Sequence, residues 1–334
     1  MNEIPFCPDP FTFLSKDRGR FSTCCPGWMD ESRFIYGNFD NLWDVWNHPS
    51  LIEWREALLQ KDYRWCQRCP NRFRKRDREF PLPDEKPIME RPPITYQFLD
   101  DEACNLHCSS CRLQTISKGV PSLWPPQRVI TQMPGIQTVS MSLAGDPFAS
   151  STCMDFLRQP GTPDVILWTN GILLPRFWQE IKRKVTVVII SIDAAKKETY
   201  EQLRQPAKWE QIQQTLDFMR VLVACQEVFL FQINMVVQQA NFREIPEFIA
   251  MGKRHLAHII QFCLIAPWPH ITKEHWSLVN VANPEHPEHQ DFLHVLQDPI
   301  LHSLGVDAGF INNGSLDFYG HSSAETNFWF DPLK

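Results

Sequence analysis

The sequence predicts an α/β protein in two parts: an open, partial barrel of six strand–helix units, preceded by a small cysteine-rich domain. Three observations carry this prediction. Short β-branched runs alternate with segments of helical period across 94–265, polar residues follow the runs, and the eleven cysteines fall into two groups with three outliers.

The six runs are "ITYQFLD" (94–100), "QTVSMSL" (137–143), "DVILWTN" (164–170), "VTVVIIS" (185–191), "VFLFQINMVV" (228–237) and "HIIQFCLI" (258–265). Segments such as "LPRFWQEIKRK" and "AKWEQIQQTLDFMRVLVACQ" separate them with helical spacing. Such alternation implies a parallel sheet with helical crossovers. Six units are too few for a closed eight-fold barrel but suit an open one. Asp100 and Asp101, Asp146, Thr169 and Asn170, Ser191 and Asp193, and Gln238 follow the strands. In parallel folds the strand C-termini converge on one mouth, so these residues are the candidates for chemistry.

The first part, 1–75, holds a candidate hairpin ("FTFLS", a turn at "KDRG", then "RFSTCC") and a helix at about 50–60. Leu51, Trp54, Leu58 and Leu59 are its expected apolar stripe. A domain this small commonly needs a metal staple. The Pro- and charge-rich stretch 76–93 reads as a linker, with a boundary near residue 90. Residues 266–334 lack clear periodicity and are expected to cover the open side of the barrel and shape substrate specificity.

A net charge of −6 argues against general nucleic-acid binding. The one basic run, "NRFRKRDR" (71–78), reads as a solvated linker. No apolar run reaches the length of a membrane span. "MNEIPFCPDP" has neither the basic start nor the apolar core of a signal peptide, so the chain is expected in the reducing cytoplasm, without structural disulfides. Cysteines grouped in such a setting point to metal chemistry.

The sharpest motif is "FLDDEACNLHCSSCRLQ" (98–114), which places Cys104, Cys108 and Cys111 on one loop after the first barrel strand. A C-x3-C-x2-C loop gives an iron–sulfur cube three thiolates and leaves one iron open. The alternative is a zinc site completed by His107 or another side chain. The loop, its place after the first strand and the five strands that follow resemble radical S-adenosylmethionine enzymes. "SLAGDP" (142–147) resembles the family's Gly-Gly-Glu-Pro stretch, which implies that Gly145 and Asp146 hold the amino group of the bound cosubstrate. Asp146 stands where the family usually has the longer glutamate, and Ser110 where it usually has an aromatic residue. "WTNG" (168–171) resembles the third-strand end and nominates Thr169 and Asn170. "ISIDAAKKETYEQLR" (190–204) resembles the fourth-strand segment, implying that Ser191 and Arg204, with Asp193 beside them, reach the cosubstrate. "MVVQQANFREIPEFI" (235–249) is similar to the fifth-strand end.

The N-terminal run "YGNFDNLWDVWNHPSLIEWREALLQKDYRWCQRCP" resembles the SPASM domain, an auxiliary iron–sulfur module of peptide-modifying radical enzymes. It implies a second [4Fe–4S] cluster on Cys7, one of Cys24 and Cys25, Cys66 and Cys69. A structural zinc staple on the same thiols is the alternative. The module normally follows the barrel; here it precedes it and must fold back over the mouth. The resemblance as a whole implies a [4Fe–4S] cluster, S-adenosylmethionine, a donor such as flavodoxin or ferredoxin, and hydrogen-atom abstraction, with a peptide as substrate. A sugar, aminocyclitol or other small metabolite is the alternative substrate, and a non-catalytic zinc-stapled scaffold the alternative class.

Cys153, Cys225 and Cys263 read as buried apolar residues. Cys263 ends the sixth strand towards the mouth and is the candidate hydrogen donor. "HPEHQDFLH" (286–294) reads as a solvated helix start rather than a metal site.

Overall fold

The structure is a computed structural model that describes residues 7–24, 29–66, 86–141, 144–161, 163–267 and 270–308, with a short strand pair at 311–312 and 315–316. In chain order come α1 (Asp9–Thr12), β1 (Phe13–Asp17), β2 (Arg20–Ser22), β3 (Ile35–Tyr36), α2 (Leu42–Trp46) and α3 (Pro49–Leu59). Then follow β4 (Thr95–Phe98), α4 (Pro126–Gln132), β5 (Thr138–Met141), α5 (Ser151–Leu157), β6 (Asp164–Thr169), α6 (Leu174–Ile181) and β7 (Val185–Ser191). The chain continues through α7 (Lys197–Leu203), α8 (Trp209–Ala224), β8 (Leu230–Val237), α9 (Ile245–Arg254), β9 (Ile259–Leu264), α10 (Lys273–Val279), α11 (His289–Val295) and β10 (Val306–Asp307).

All six expected strands form. They stand in consecutive order, β4 to β9, each parallel to the next. Every crossover therefore steps the same way, and one crossover hand lays the helices on one face. Gly252 of α9 shows which face: a Cβ there would stand 2.7 Å from Ile233 of β8 and from Ile260 of β9. Along β8 that face carries the buried Phe231, Ile233, Met235 and Val237, while Gln232 and Asn234 alternate onto the other. This second face is polar. Gln232 donates to Asn234 (2.8 Å) and Gln261 (3.0 Å), and Gln261 donates to Asp307 (3.0 Å).

The N-terminal hairpin forms, with Phe11 and Thr12 in α1 and with Lys16 and Asp17 in its first strand rather than in the turn, and its surroundings differ from the expectation. β1 pairs in parallel with β4, and β2 and β3 extend the same sheet, so hydrogen bonding runs across the expected boundary near residue 90. The buried Lys16 and the partly buried Asp100 form an ion pair at 3.3 Å that ties the end of β1 to the end of β4. The hairpin turn also donates to Asp100, through Gly19 N at 3.2 Å. The hairpin thus lies beside β4, with its turn at the C-terminal end of that strand.

Part of the expected linker is also bound in place. Residues 67–85, with the basic run 71–78, lie outside the described residues. In 86–93, however, Asn47 both donates to Met89 O (2.9 Å) and accepts from Met89 N (2.7 Å), while Trp46 donates to Arg91 O (2.9 Å). A side-chain amide can imitate a strand edge, and this one holds a Pro-rich segment that would otherwise have few partners.

The helix at 50–60 forms as α3, with His48 as its N-cap accepting from Ser50 N. Leu51, Trp54 and Leu58 are buried, each worth ~1.5–3 kcal/mol. The fourth inward position is not Leu59, which is only partly buried, but Arg55. The spacing i, i+3, i+4, i+7 places 55 on the stripe, and packing overrides its polarity.

Candidate metal centre

The loop 104–111 leaves the C-terminal end of β4 and is held on three sides. Cys104 bridges backbone to Ile116, with Cys104 N donating at 2.8 Å. Asp146 N, after β5, donates to Ala103 O at 2.7 Å. At the C-terminal end of α7, Ser109 N donates to Leu203 O (3.1 Å) and, just past it, His107 N to Gln205 O (2.8 Å). A turn closes the loop, with Cys111 N and Arg112 N both donating to Cys108 O.

Each sulfur faces its own donor. Cys104 Sγ accepts from Leu106 N (3.5 Å) and lies 3.9 Å from the Asn170 amide. Cys108 Sγ accepts from Arg204 Nη1 (3.5 Å), and Cys111 Sγ from Arg112 Nε (3.4 Å). Cys104 and Cys108 are buried, and Cys111 is exposed. Burial pushes the Cys104 thiol up to about 11; burial also raises Cys108, against the opposing pull of Arg204. Among the described residues no three His, Cys, Asp or Glu side chains converge as they would around a bound metal ion. The donor set nevertheless fits an iron–sulfur cluster or zinc by its chemistry, since soft thiolates are the ligands both prefer.

The strand-end residues converge on this loop. A Cβ on Gly145 would stand 2.4 Å from Ala103 O and 2.7 Å from Asp101 O, so only glycine permits the β5 loop to approach so closely. Asp146 is buried and accepts from Phe148 N (3.1 Å), Thr169 Oγ1 (2.8 Å) and Asn170 N (2.8 Å). Burial raises its carboxyl, with those donors opposing. A carboxylate has about four acceptor sites, so three donors nearly fill it. Asn170 donates to Asn105 Oδ1 at 2.8 Å and so joins β6 to the cysteine loop. Asp193 adopts a left-handed backbone (φ 67°), accepts from Val236 N at 2.8 Å and pairs with Arg204 at 2.6 Å. Ser191 ends β7 opposite Asn234.

Gln238 is buried with its side-chain nitrogen unpartnered. Cys263 lies next to last in β9, opposite Val236 and exposed.

Two side chains that organise this site escaped the sequence reading. Arg112 donates to Glu102 O (2.6 Å) and to Ala144 O, pinning the β5 loop to the cysteine loop. Its signal was a cation directly after the third cysteine. Glu244 accepts from Ala195 N (2.7 Å) and Lys196 N (3.1 Å), fixing the segment between β7 and α7. Only the fold brings Glu244 to that segment.

Other expectations change. Cys153 is buried as expected, but Cys225, just past the end of α8, and Cys263 are exposed. His286 and His289 are not solvated: both are buried against backbone carbonyls, His286 Nε2 at 3.0 Å from Leu278 O and His289 Nδ1 at 3.0 Å from Val281 O. Since His286 Nδ1 accepts from Glu288 N, its Nε2 carries the proton. Cys7, Cys24 and Cys66 are partly buried, whereas Cys25 and Cys69 lie outside the described residues. Among the described residues no helix is long and apolar enough to cross a membrane.

No family model matches the chain. It is similar to a GTP 3′,8-cyclase from Pelotomaculum thermopropionicum, 29% identical over 136 residues, which cover 35% of this chain and 40% of that protein. The match thus spans less than half of the relative's own length. Among solved structures it is similar to Streptococcus suis SuiB bound to precursor peptide SuiA, with TM-score 0.47 and 13% identity over 88% of this chain and 70% of that one. It is also similar to native anSMEcpe with bound AdoMet, with TM-score 0.44 and 18% identity over 65% and 64% of the two chains.

Proposed function

We propose that this chain is a radical S-adenosylmethionine enzyme of the reducing cytoplasm, built on a partial barrel, with Cys104, Cys108 and Cys111 as ligands of a [4Fe–4S] cluster. The observation that carries this reading is the cysteine loop at the C-terminal end of β4, tied to the ends of β5, β6 and α7. The partial match to a curated relative agrees with it. When bound there, the cluster supplies one-electron reductive cleavage of S-adenosylmethionine and, with it, hydrogen-atom abstraction from a C–H bond.

The protein's part is to hold and shield. Gly145 lets the β5 loop close on the cysteine loop, and Asp146 locks the ends of β5 and β6 together while keeping about one acceptor site for the cosubstrate's amino group. Thr169, Asn170 and Ser191 line the remaining strand ends. The polar face of β8 to β10, with Gln232, Asn234, Gln261 and Asp307, offers amide and carboxylate groups to a substrate. Cys263 shares that face and is the proposed hydrogen donor.

The proposal extends to a second [4Fe–4S] cluster on Cys7, one of Cys24 and Cys25, Cys66 and Cys69, to a flavodoxin- or ferredoxin-type reductant, and to a peptide substrate. One observation favours the second reading, a small metabolite: the curated relative is named for a nucleotide substrate.

The test is iron and sulfide content after anaerobic reconstitution, in wild type and in the Cys104/Cys108/Cys111→Ala variant. About eight irons per chain should fall to about four, with loss of 5′-deoxyadenosine formation. Zinc without iron under full reconstitution would overturn the reading. Whether short peptides or nucleoside triphosphates raise 5′-deoxyadenosine formation decides between the two substrate classes.

A further inference from the structure

Arg204 has partners that the cosubstrate role does not explain. Its Nη1 donates to Cys108 Sγ at 3.5 Å and its Nη2 stands 2.6 Å from Asp193 Oδ2. Both residues are buried. Asp193 cannot swing aside, because Val236 N holds its carboxylate and Asn241 Nδ2 holds its carbonyl, each at 2.8 Å.

The backbone on either side of Arg204 is bound to the same loop. Leu203 O accepts from Ser109 N and Gln205 O from His107 N, so 203–205 runs alongside 107–109 with Arg204 facing Cys108 between the two bonds. The helix end, the cysteine loop and the ion pair form one unit. Backbone pairing alone would dock the loop. A neutral thiol is a poor acceptor, and a buried ion pair is a weak source of stability. A thiolate, in contrast, would turn the Arg204–Cys108 contact into a charge-assisted bond. Hydrogen bonds to the sulfurs and net charge are what set the potential of an iron–sulfur cluster.

We infer that Arg204, aimed by Asp193, is a positioning residue that stabilises the electron-rich Cys108 sulfur of the reduced cluster and raises its reduction potential. The inference rests on the proposed cluster site. It gives Arg204 a role towards the cluster itself, distinct from contact with the cosubstrate.

The test is an EPR-monitored redox titration of reconstituted protein, read at the signal that changes when S-adenosylmethionine is added. Arg204→Gln should lower the ratio of reduced to oxidised cluster at a fixed potential about tenfold, equal to about 59 mV for a one-electron couple. Arg204→Lys should recover most of the shift. Tyr200→Phe, which removes a buried hydroxyl without a hydrogen-bond partner, should leave the potential unchanged. A fully loaded Arg204→Gln protein with the wild-type potential overturns the inference.

Should Arg204→Gln fail to load, pulsed EPR of Arg112→Gln protein carrying [15N]arginine answers the same question. A nitrogen coupling to the reduced cluster supports the Arg204 contact, and its absence overturns it. Failure of the underlying reading looks different: no variant then shows a cluster signal, and the triple cysteine variant loses no iron.

Discussion

Arg55 and Arg204 are both buried, and the two regions keep their cations in opposite ways. Arg55, on α3, is held by carbonyls: it donates to those of Pro10 (2.7 Å), Trp46 (2.9 Å) and Pro87 (3.2 Å) and lies over the Trp46 ring. Burial lowers its pKa to about 9. For Arg204 burial works in the same direction, but Asp193 and Cys108 outweigh it and hold the guanidinium above its ordinary range. Carbonyls from three segments make Arg55 a clasp, joining α1, α2 and the end of the expected linker. A single rigid carboxylate leaves Arg204 aimed at something else. A cation shared among many acceptors staples a fold, whereas a cation pinned by one acid can serve a site.

The largest effect expected from this contrast is at Asp193. Asp193→Ala leaves the Arg204 charge buried and uncompensated, and should cost ~3–5 kcal/mol in a urea unfolding midpoint. Removing both charges, in Asp193→Ala/Arg204→Met, should be milder than the single change; equal or greater loss would break the ion-pair account. Arg55→Met should cost about 2–4 kcal/mol, because three carbonyls lose their donor. Here no single second change should restore stability, since the acceptors are backbone. Next comes Gly145→Ala, whose Cβ would meet Ala103 O at 2.4 Å. It should cost ~1–3 kcal/mol and reduce iron per chain, as the β5 loop lifts off the cysteine loop. Smallest is Cys225→Ser, at an exposed position, with a change within about 0.5 kcal/mol. A larger loss there would mean that the thiol is packed after all.

The strands were legible because period and β-branching are local properties. β7 spans the run "VTVVIIS" end to end, and β4 falls within 94–100. The cysteine loop was legible for the same reason, its three thiols being close in sequence. Arg55 is absent from the expected stripe because polarity argues outward while helical spacing argues inward, and only the carbonyls of Pro10, Trp46 and Pro87 decide between them. His286 and His289 were misread likewise: the carbonyls that receive them lie eight residues away in each case.

What the amino-acid order determined by itself is the run of strands from β4 to β9 and the thiol loop that follows β4, since both depend on residues within a few positions of each other. What only the tertiary structure decided is who holds whom. Asp146 is occupied by Thr169 and Asn170, Arg204 by Asp193 and Cys108, and β1 joins β4 across the expected boundary. Hydrogen bonds and ion pairs act over a few ångströms, and folding alone brings within that range groups far apart in sequence, as it does for Arg204 and Cys108, 96 residues apart and 3.5 Å from nitrogen to sulfur.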